Sequence, residues 1–194
     1  MNEPKANQDH LLWELGRFVN QFALTENVLF LFLSQLIGLK REESAAVLSG
    51  QKTDACISSI KRLFEARNHV IPNQILSSLD QLNTINSFRN SILHNGFNWS
   101  GSVSNHVKAL PTRVIAFEIK PDDLEKASVD LMGISASLFM YHAPITSENE
   151  VELERVQNLL KKPWLYKSAQ PKNTHQQNRS NVQKNKRQHE SSSE

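Results

Sequence analysis

Between residues 9 and 36, apolar side chains return every three or four positions, at Leu11, Leu15, Phe18, Phe22, Leu29, Leu33 and Leu36. That period sets all of them on one stripe, so the stretch reads as one long amphipathic helix. Glu26 falls on the same stripe, four residues after Phe22 and three before Leu29. A carboxylate there is costly unless something pairs with it, and a positive partner is expected from elsewhere in the chain. The most apolar run, residues 27–39, is 13 residues long between Glu26 and Lys40. It falls short of the roughly 18 to 20 needed to cross a bilayer and reads as a buried helix segment, with no membrane partner.

The same reasoning lays out the following elements. A short helix around residues 42–49 is expected to stop at Gly50, and Thr53 or Asp54 to cap a third helix carrying Ile57, Ile60, Leu63 and Phe64. Pro72-Asn73 opens a fourth, whose stripe Ile75, Leu79, Leu82, Ile85, Ile92 and Leu93 runs to a stop at Asn95-Gly96. After Gly101, Ile115, Phe117 and Ile119 alternate with smaller or polar residues at strand period. With residues 103–110 ahead of them, they predict a small hairpin turning near Pro111-Thr112. Pro121-Asp122-Asp123 then starts a helix continued by Leu124, Leu131, Ile134 and Leu138 towards His142, and a last short helix is expected over about residues 150–160. The fold class is therefore mainly α, a helical bundle with a small β-hairpin insertion after the fourth helix.

Composition assigns one helical domain to residues 1–162 and a tail to residues 163–194. A chain of 194 residues, 39% of them hydrophobic, can bury one sizeable core. The single cysteine, Cys56, excludes an intramolecular disulfide, and residues 1–10 hold no apolar run after a basic start, so a cytoplasmic protein is expected. Residues 1–162 carry 16 basic against 18 acidic side chains, whereas residues 163–194 carry 6 against 2. From Lys167 onward the chain is rich in Gln, Asn, Ser and Lys and poor in anything that could be buried, which predicts a disordered basic tail able to hold phosphates loosely. Pro163-Trp164-Leu165-Tyr166 is expected to pin that tail to the core through Trp164.

The residues with chemistry to offer are Arg89, Asn90 and His94, near the end of the fourth helix. Asn90 and His94 are four apart and share a face, which also holds Asn83 and Ser87, and His94 lies in the final turn. A histidine there sits at the negative end of the helix dipole, and imidazole is the side chain suited to both taking and giving a proton near neutral pH. Arg89 borders the apolar stripe, about 140° around the helix from His94, so one copy of the motif converges only in part. Two copies facing each other in a symmetric dimer would gather two arginines and two histidines in one cleft. A purely structural role is the other reading. Arg89 would pair with Glu26 between the first and fourth helices, His94 would cap its helix, and Glu26 could also orient Arg89. Arg67-Asn68-His69 is expected to end the third helix before Pro72, and His142 reads as a packed helix-end residue. No Gly-rich phosphate loop, paired Cys/His spacing or nucleophile elbow occurs, so neither metal nor cofactor is expected.

Arg89-Asn90-x-x-x-His94, set near the end of a helix in a mostly helical domain, resembles the Arg-x4–6-His signature of HEPN domains (higher eukaryotes and prokaryotes nucleotide-binding). The long first helix with Glu26 in its stripe and the hydrophobic third helix are also similar, over roughly residues 11–160. The resemblance implies a homodimeric, metal-independent endoribonuclease acting on RNA, of the kind that serves as a toxin or phage-defence effector with an antitoxin or defence partner. In that scheme His94 assists attack of the RNA 2′-hydroxyl on its own phosphate, Arg89 steadies the pentavalent phosphorane, Asn90 positions the phosphate or the histidine, and Glu26 supports the site. A second expectation, from another class, is a non-catalytic HEPN-like helical dimer that binds a partner protein or nucleotide. The enzyme needs Arg89 and His94 to line one polar cleft.

Overall fold

The computed structural model describes residues 3–95, 98–100, 103–110, 113–142, 154, 158 and 162–168. Helix α1 (Glu3–Ile37) runs 35 residues and lays Leu11, Phe18, Phe22, Leu29, Phe32 and Leu33 into the core. It ends where Gly38 takes a φ of +80°, a value that favours a residue without a β-carbon. The Gly38 and Leu39 amides then donate back to the carbonyls of Gln35 and Ser34, satisfying groups that the helix end would otherwise leave open. Helix α2 (Arg41–Leu48) is short and turns at Gly50. Helix α3 (Thr53–Ala66) buries Cys56, Ile57, Ile60 and Phe64. It closes at Arg67-Asn68-His69, with Asn68 in the left-handed region and the His69 amide donating to the Phe64 carbonyl.

Helix α4 (Asn73–Asn95) buries Ile75, Leu79, Leu82, Ile85 and Ile92. Leu93, placed by its spacing on the same stripe, is instead exposed, because the adjacent Ile92 takes the core position at that turn. Three antiparallel strands follow in the order β1 (Asn98–Ser100), β2 (Val103–Leu110), β3 (Arg113–Ile119), with Asn98 opposite Asn105 and Ser104 opposite Ile119. The turn expected at Pro111-Thr112 and the stop at Gly96 lie outside the described residues. Ile119 is buried and brings the chain back to the core, where helix α5 (Pro121–His142) seats Leu124, Ala127, Leu131, Ile134 and Leu138.

Five helices among the described residues make the molecule mainly helical, and none of them alone is long and apolar enough to cross a membrane. The most extensive packing is that of α1 on α5. Thr25, buried at its centre, donates to the Gln21 carbonyl at 2.9 Å and the Leu131 carbonyl at 3.3 Å, and its hydroxyl lies 2.9 Å from that of Ser135. These bonds serve the one hydroxyl on α1's buried face at that level.

Residues 162–168 lie against the bundle. Asp130 on α5 is only 4% exposed, and its carboxylate accepts the Leu165 amide at 2.9 Å, the Tyr166 amide at 2.8 Å and the Gln81 side-chain amide at 2.9 Å. The Gln81 amide also donates to the Tyr166 carbonyl at 3.0 Å. The Tyr166 ring stacks on Phe88 of α4 with centroids 4.7 Å apart, while the Trp164 indole donates to the Ser77 hydroxyl at 2.8 Å. Docked chain therefore continues past Lys162: Trp164 packs half-buried against the core as expected, and Tyr166, 5% exposed, is a second and more deeply buried anchor. Burial pushes the Tyr166 phenol well above its usual range, with the Asp123 charge adding to the effect. Of the helix expected near residues 150–160, only Glu154 and Asn158 are described, both helical. The tail beyond Ser168 lies outside the described residues.

Candidate active site

A cavity of about 330 Å³ opens between the N-terminal end of α3, the middle of α1 and the C-terminal half of α4. Its walls are Glu26 from α1, Gln51, Lys52, Thr53 and Asp54 from the start of α3, and Asn86, Arg89, Asn90 and His94 from α4. All four residues singled out in the sequence, Arg89, Asn90, His94 and Glu26, line this one pocket. Asn83 and Ser87, which share a helix face with them, do not line it; the Ser87 hydroxyl donates to the Asn83 carbonyl at 3.1 Å and both are exposed.

Glu26 does not pair with Arg89. Its Oε1 accepts the Thr53 hydroxyl, and among the described residues no cation lies within 4.0 Å of it. Thr53 is consequently not a helix cap. It is the first helical residue of α3, Lys52 occupies the cap position without a side-chain bond, and the threonine hydroxyl is taken by the carboxylate. A buried hydroxyl bonded to a charged acceptor gains more than one bonded to a helix amide, which is why pairing wins over capping here.

Arg89 finds a different seat. Its Cζ sits 5.2 Å from the centroid of the Phe22 ring, and its Nη1 donates to the Asn90 side-chain oxygen at 3.0 Å. The aromatic face steadies the cation without neutralising it, so the guanidinium keeps donors for an anion. Phe22 in turn packs on Phe18, Phe18 on Phe88, and Phe88 on Tyr166, so the arginine rests on an aromatic series reaching the docked C-terminal segment. His94 is exposed at the pocket mouth, one turn beyond Asn90, and carries no hydrogen bond to a described residue.

The electrostatics of the wall register on Cys56, buried one turn into α3, whose thiol lies 3.3 Å from the Gln51 side-chain oxygen. Burial first, then the charges of Glu26 and Asp54, push that thiol up to about 11. Among the described residues the pocket sets two acidic groups, Glu26 and Asp54, against Lys52 and Arg89, with the imidazole of His94 beside them. Among the described residues no three His, Cys, Asp or Glu side chains converge as a metal site would require.

No family model, curated protein or solved structure matches this chain. The site must therefore be read from its own residues. Five of the nine described residues that line it, Gln51, Lys52, Thr53, Asp54 and Asn86, are not among the site residues expected from the sequence, where Thr53 and Asp54 figure only as candidate helix caps. For Asn86 a signal exists: it lies four before Asn90 and eight before His94, so the three form a ladder along α4. It is 7% exposed and its amide has no hydrogen bond to a described residue, which leaves that amide to the pocket. For the other four nothing in the sequence indicates that the start of α3 faces the end of α4.

Proposed function

We propose that this chain is a metal-independent endoribonuclease of HEPN type, a HEPN-like helical bundle with its β insertion after α4, serving as a toxin or phage-defence effector. The observation that carries the reading is the convergence of Arg89, Asn90 and His94 in one polar pocket, although Arg89 and His94 lie about 140° apart on their helix. The nucleophile is part of the substrate: the RNA 2′-oxygen attacks the adjacent phosphorus, the bond from phosphorus to the 5′-oxygen breaks, and a 2′,3′-cyclic phosphate and a free 5′-hydroxyl result. Arg89 stabilises the charge that builds on the phosphorane oxygens. His94 transfers a proton at the scissile group, and Asn90, bonded to Arg89, holds the guanidinium's orientation. The proposal includes RNA as substrate, a homodimer with the ends of α4 near its axis, and an antitoxin or defence partner that restrains the activity.

Expression in cells tests the biological half of this reading. Cells producing the wild type should grow worse than cells producing His94→Ala at equal protein level. Equal growth of the two would favour the alternative, a non-catalytic HEPN-like dimer that binds a partner protein or nucleotide.

A further inference from the structure

We propose that the start of α3, with Lys52 and Asn86, is a second phosphate subsite of the pocket, holding the RNA phosphate next to the one that is cleaved. This rests on the nuclease reading above and deepens it by assigning what fixes the register of the strand. An RNA strand carries a charged phosphate at every step, and contacts to the phosphates beside the scissile one are what position it on a protein. Arg89, Asn90 and His94 serve the reacting phosphate. Residues 51–54 and Asn86, which line the same cavity, have no part in that scheme.

Two independent features suit this wall to an anion. Helix α3 is 14 residues long and presents its N-terminal end to the cavity. First-turn amides have no carbonyl partner within a helix, and the helix dipole sets partial positive charge at that end. Lys52, at the cap position, makes no side-chain bond to them, and the Thr53 hydroxyl is given to Glu26, so these amides are left to a ligand. A phosphate is well suited to such an end. Asn86 is the second feature. It comes from α4, is only 7% exposed, lines the same cavity and has no hydrogen bond from its amide to a described residue. A buried amide without a partner is costly, and a phosphate oxygen accepting from its nitrogen removes that cost.

Lys52 adds a full charge. Among the described residues no carboxylate lies within 4.0 Å of it, although Glu26 and Asp54 line the same cavity. Arg89 is likewise left unneutralised, seated on the Phe22 ring at 5.2 Å. One cation at the start of α3 and one on α4 suit two successive phosphates of one strand, Arg89 taking the scissile phosphate and Lys52 its neighbour. The assignment leaves the proton-transfer groups as they stand, and in the proposed homodimer each copy presents one such subsite.

The test compares, for each protein, kcat/KM on a dinucleoside monophosphate, which carries the scissile phosphate alone, with kcat/KM on trinucleotides extended by one residue at either end. In the wild type one of the extensions should raise kcat/KM about 10- to 100-fold. Lys52→Gln and Asn86→Asp should lose that gain, Lys52→Arg should keep it, and thermal melting checks that each variant is folded. Binding to an uncleavable, fully 2′-O-methylated RNA, followed by fluorescence anisotropy, should show a salt dependence shallower by about one phosphate contact in Lys52→Gln. Trinucleotides cleaved no better than the dinucleotide by the wild type, or a gain that survives in Lys52→Gln, overturns the subsite while leaving the nuclease reading intact. A folded wild type that cleaves no RNA overturns the nuclease reading, and the anisotropy then decides the subsite: equal salt slopes in wild type and Lys52→Gln overturn it, and a shallower slope in the variant upholds it.

Discussion

The guanidinium of Arg89 lies 5.2 Å from the centre of the Phe22 ring, and it is this aromatic face, not the Glu26 carboxylate, that seats the arginine. A cation on a ring keeps its charge for a ligand, whereas a buried ion pair would spend it. Double-mutant cycles in urea unfolding separate the two arrangements. Phe22→Leu with Arg89→Ala should show a coupling of about 0.5 to 1 kcal/mol. Glu26→Gln with Arg89→Ala should couple less strongly than Glu26→Ala with Thr53→Val, because only the second pair shares a hydrogen bond. A larger coupling for Glu26 with Arg89 than with Thr53 would show that the carboxylate belongs to the arginine after all.

Asp130 is the clasp of the C-terminal segment. Replacing it by Ala strands the amides of Leu165 and Tyr166 and the Gln81 side chain without their shared acceptor. The expected loss is about 3 kcal/mol, since hydrogen bonds to charged groups are the stronger kind and unsatisfied buried donors add their own cost. A chain ending at Ser168 should melt within a few degrees of the full one, whereas a chain ending at Lys162 should melt about 10 °C lower, having lost Tyr166 and its stack on Phe88. Equal melting of the two truncations would mean that the clasp contributes nothing.

Cys56 gives the pH dependence. Its thiol is raised from 9.0 to about 11 in the folded protein. Below pH 9 it is protonated in both folded and unfolded chains and its contribution is fully present; between about 9 and 11 the unfolded chain loses the proton first, so stability falls as pH rises through that window. Cys56→Ala should therefore lose less stability than the wild type over the same interval. Glu26→Gln should let the thiol ionise at lower pH, read from thiolate absorbance, because one of the charges holding the proton on has gone. Identical thiol titrations in the wild type and Glu26→Gln would show that the Glu26 charge does not reach the cysteine.

The helices were legible because each is written in one variable, the spacing of apolar residues. Leu11, Phe18, Phe22, Leu29 and Leu33 fall where the period of α1 puts them. Arg67-Asn68-His69 ends α3 as its spacing to Pro72 suggests. The motif on α4 was legible as residue types at a helical interval. What pairs with what was not. Thr53 reads as a cap because hydroxyls at helix starts usually are, and nothing local shows that a carboxylate 27 residues earlier will claim it. Asn86 is disguised by its place between Ile85 and the half-buried Phe88, where a polar residue looks like an interruption of the core. Asp130 precedes Leu131 on the buried side of α5, and its partners are backbone amides 35 and 36 residues later, which no periodicity encodes. The angle between Arg89 and His94 on a helical wheel suggests partial convergence; the pocket gathers both, with Glu26 of α1 and residues 51–54 supplying the facing wall.

The proposed cleavage of RNA by transesterification in this pocket is tested most directly by one measurement: incubation of the purified protein with a mixed single-stranded RNA pool in EDTA, with analysis of the new ends. The wild type should cleave and leave 2′,3′-cyclic phosphates, and His94→Ala, melting at the same temperature, should be slower by about 10² to 10⁴-fold. A folded wild type that leaves the pool intact, or a His94→Ala protein that cleaves at the wild-type rate, would contradict the account.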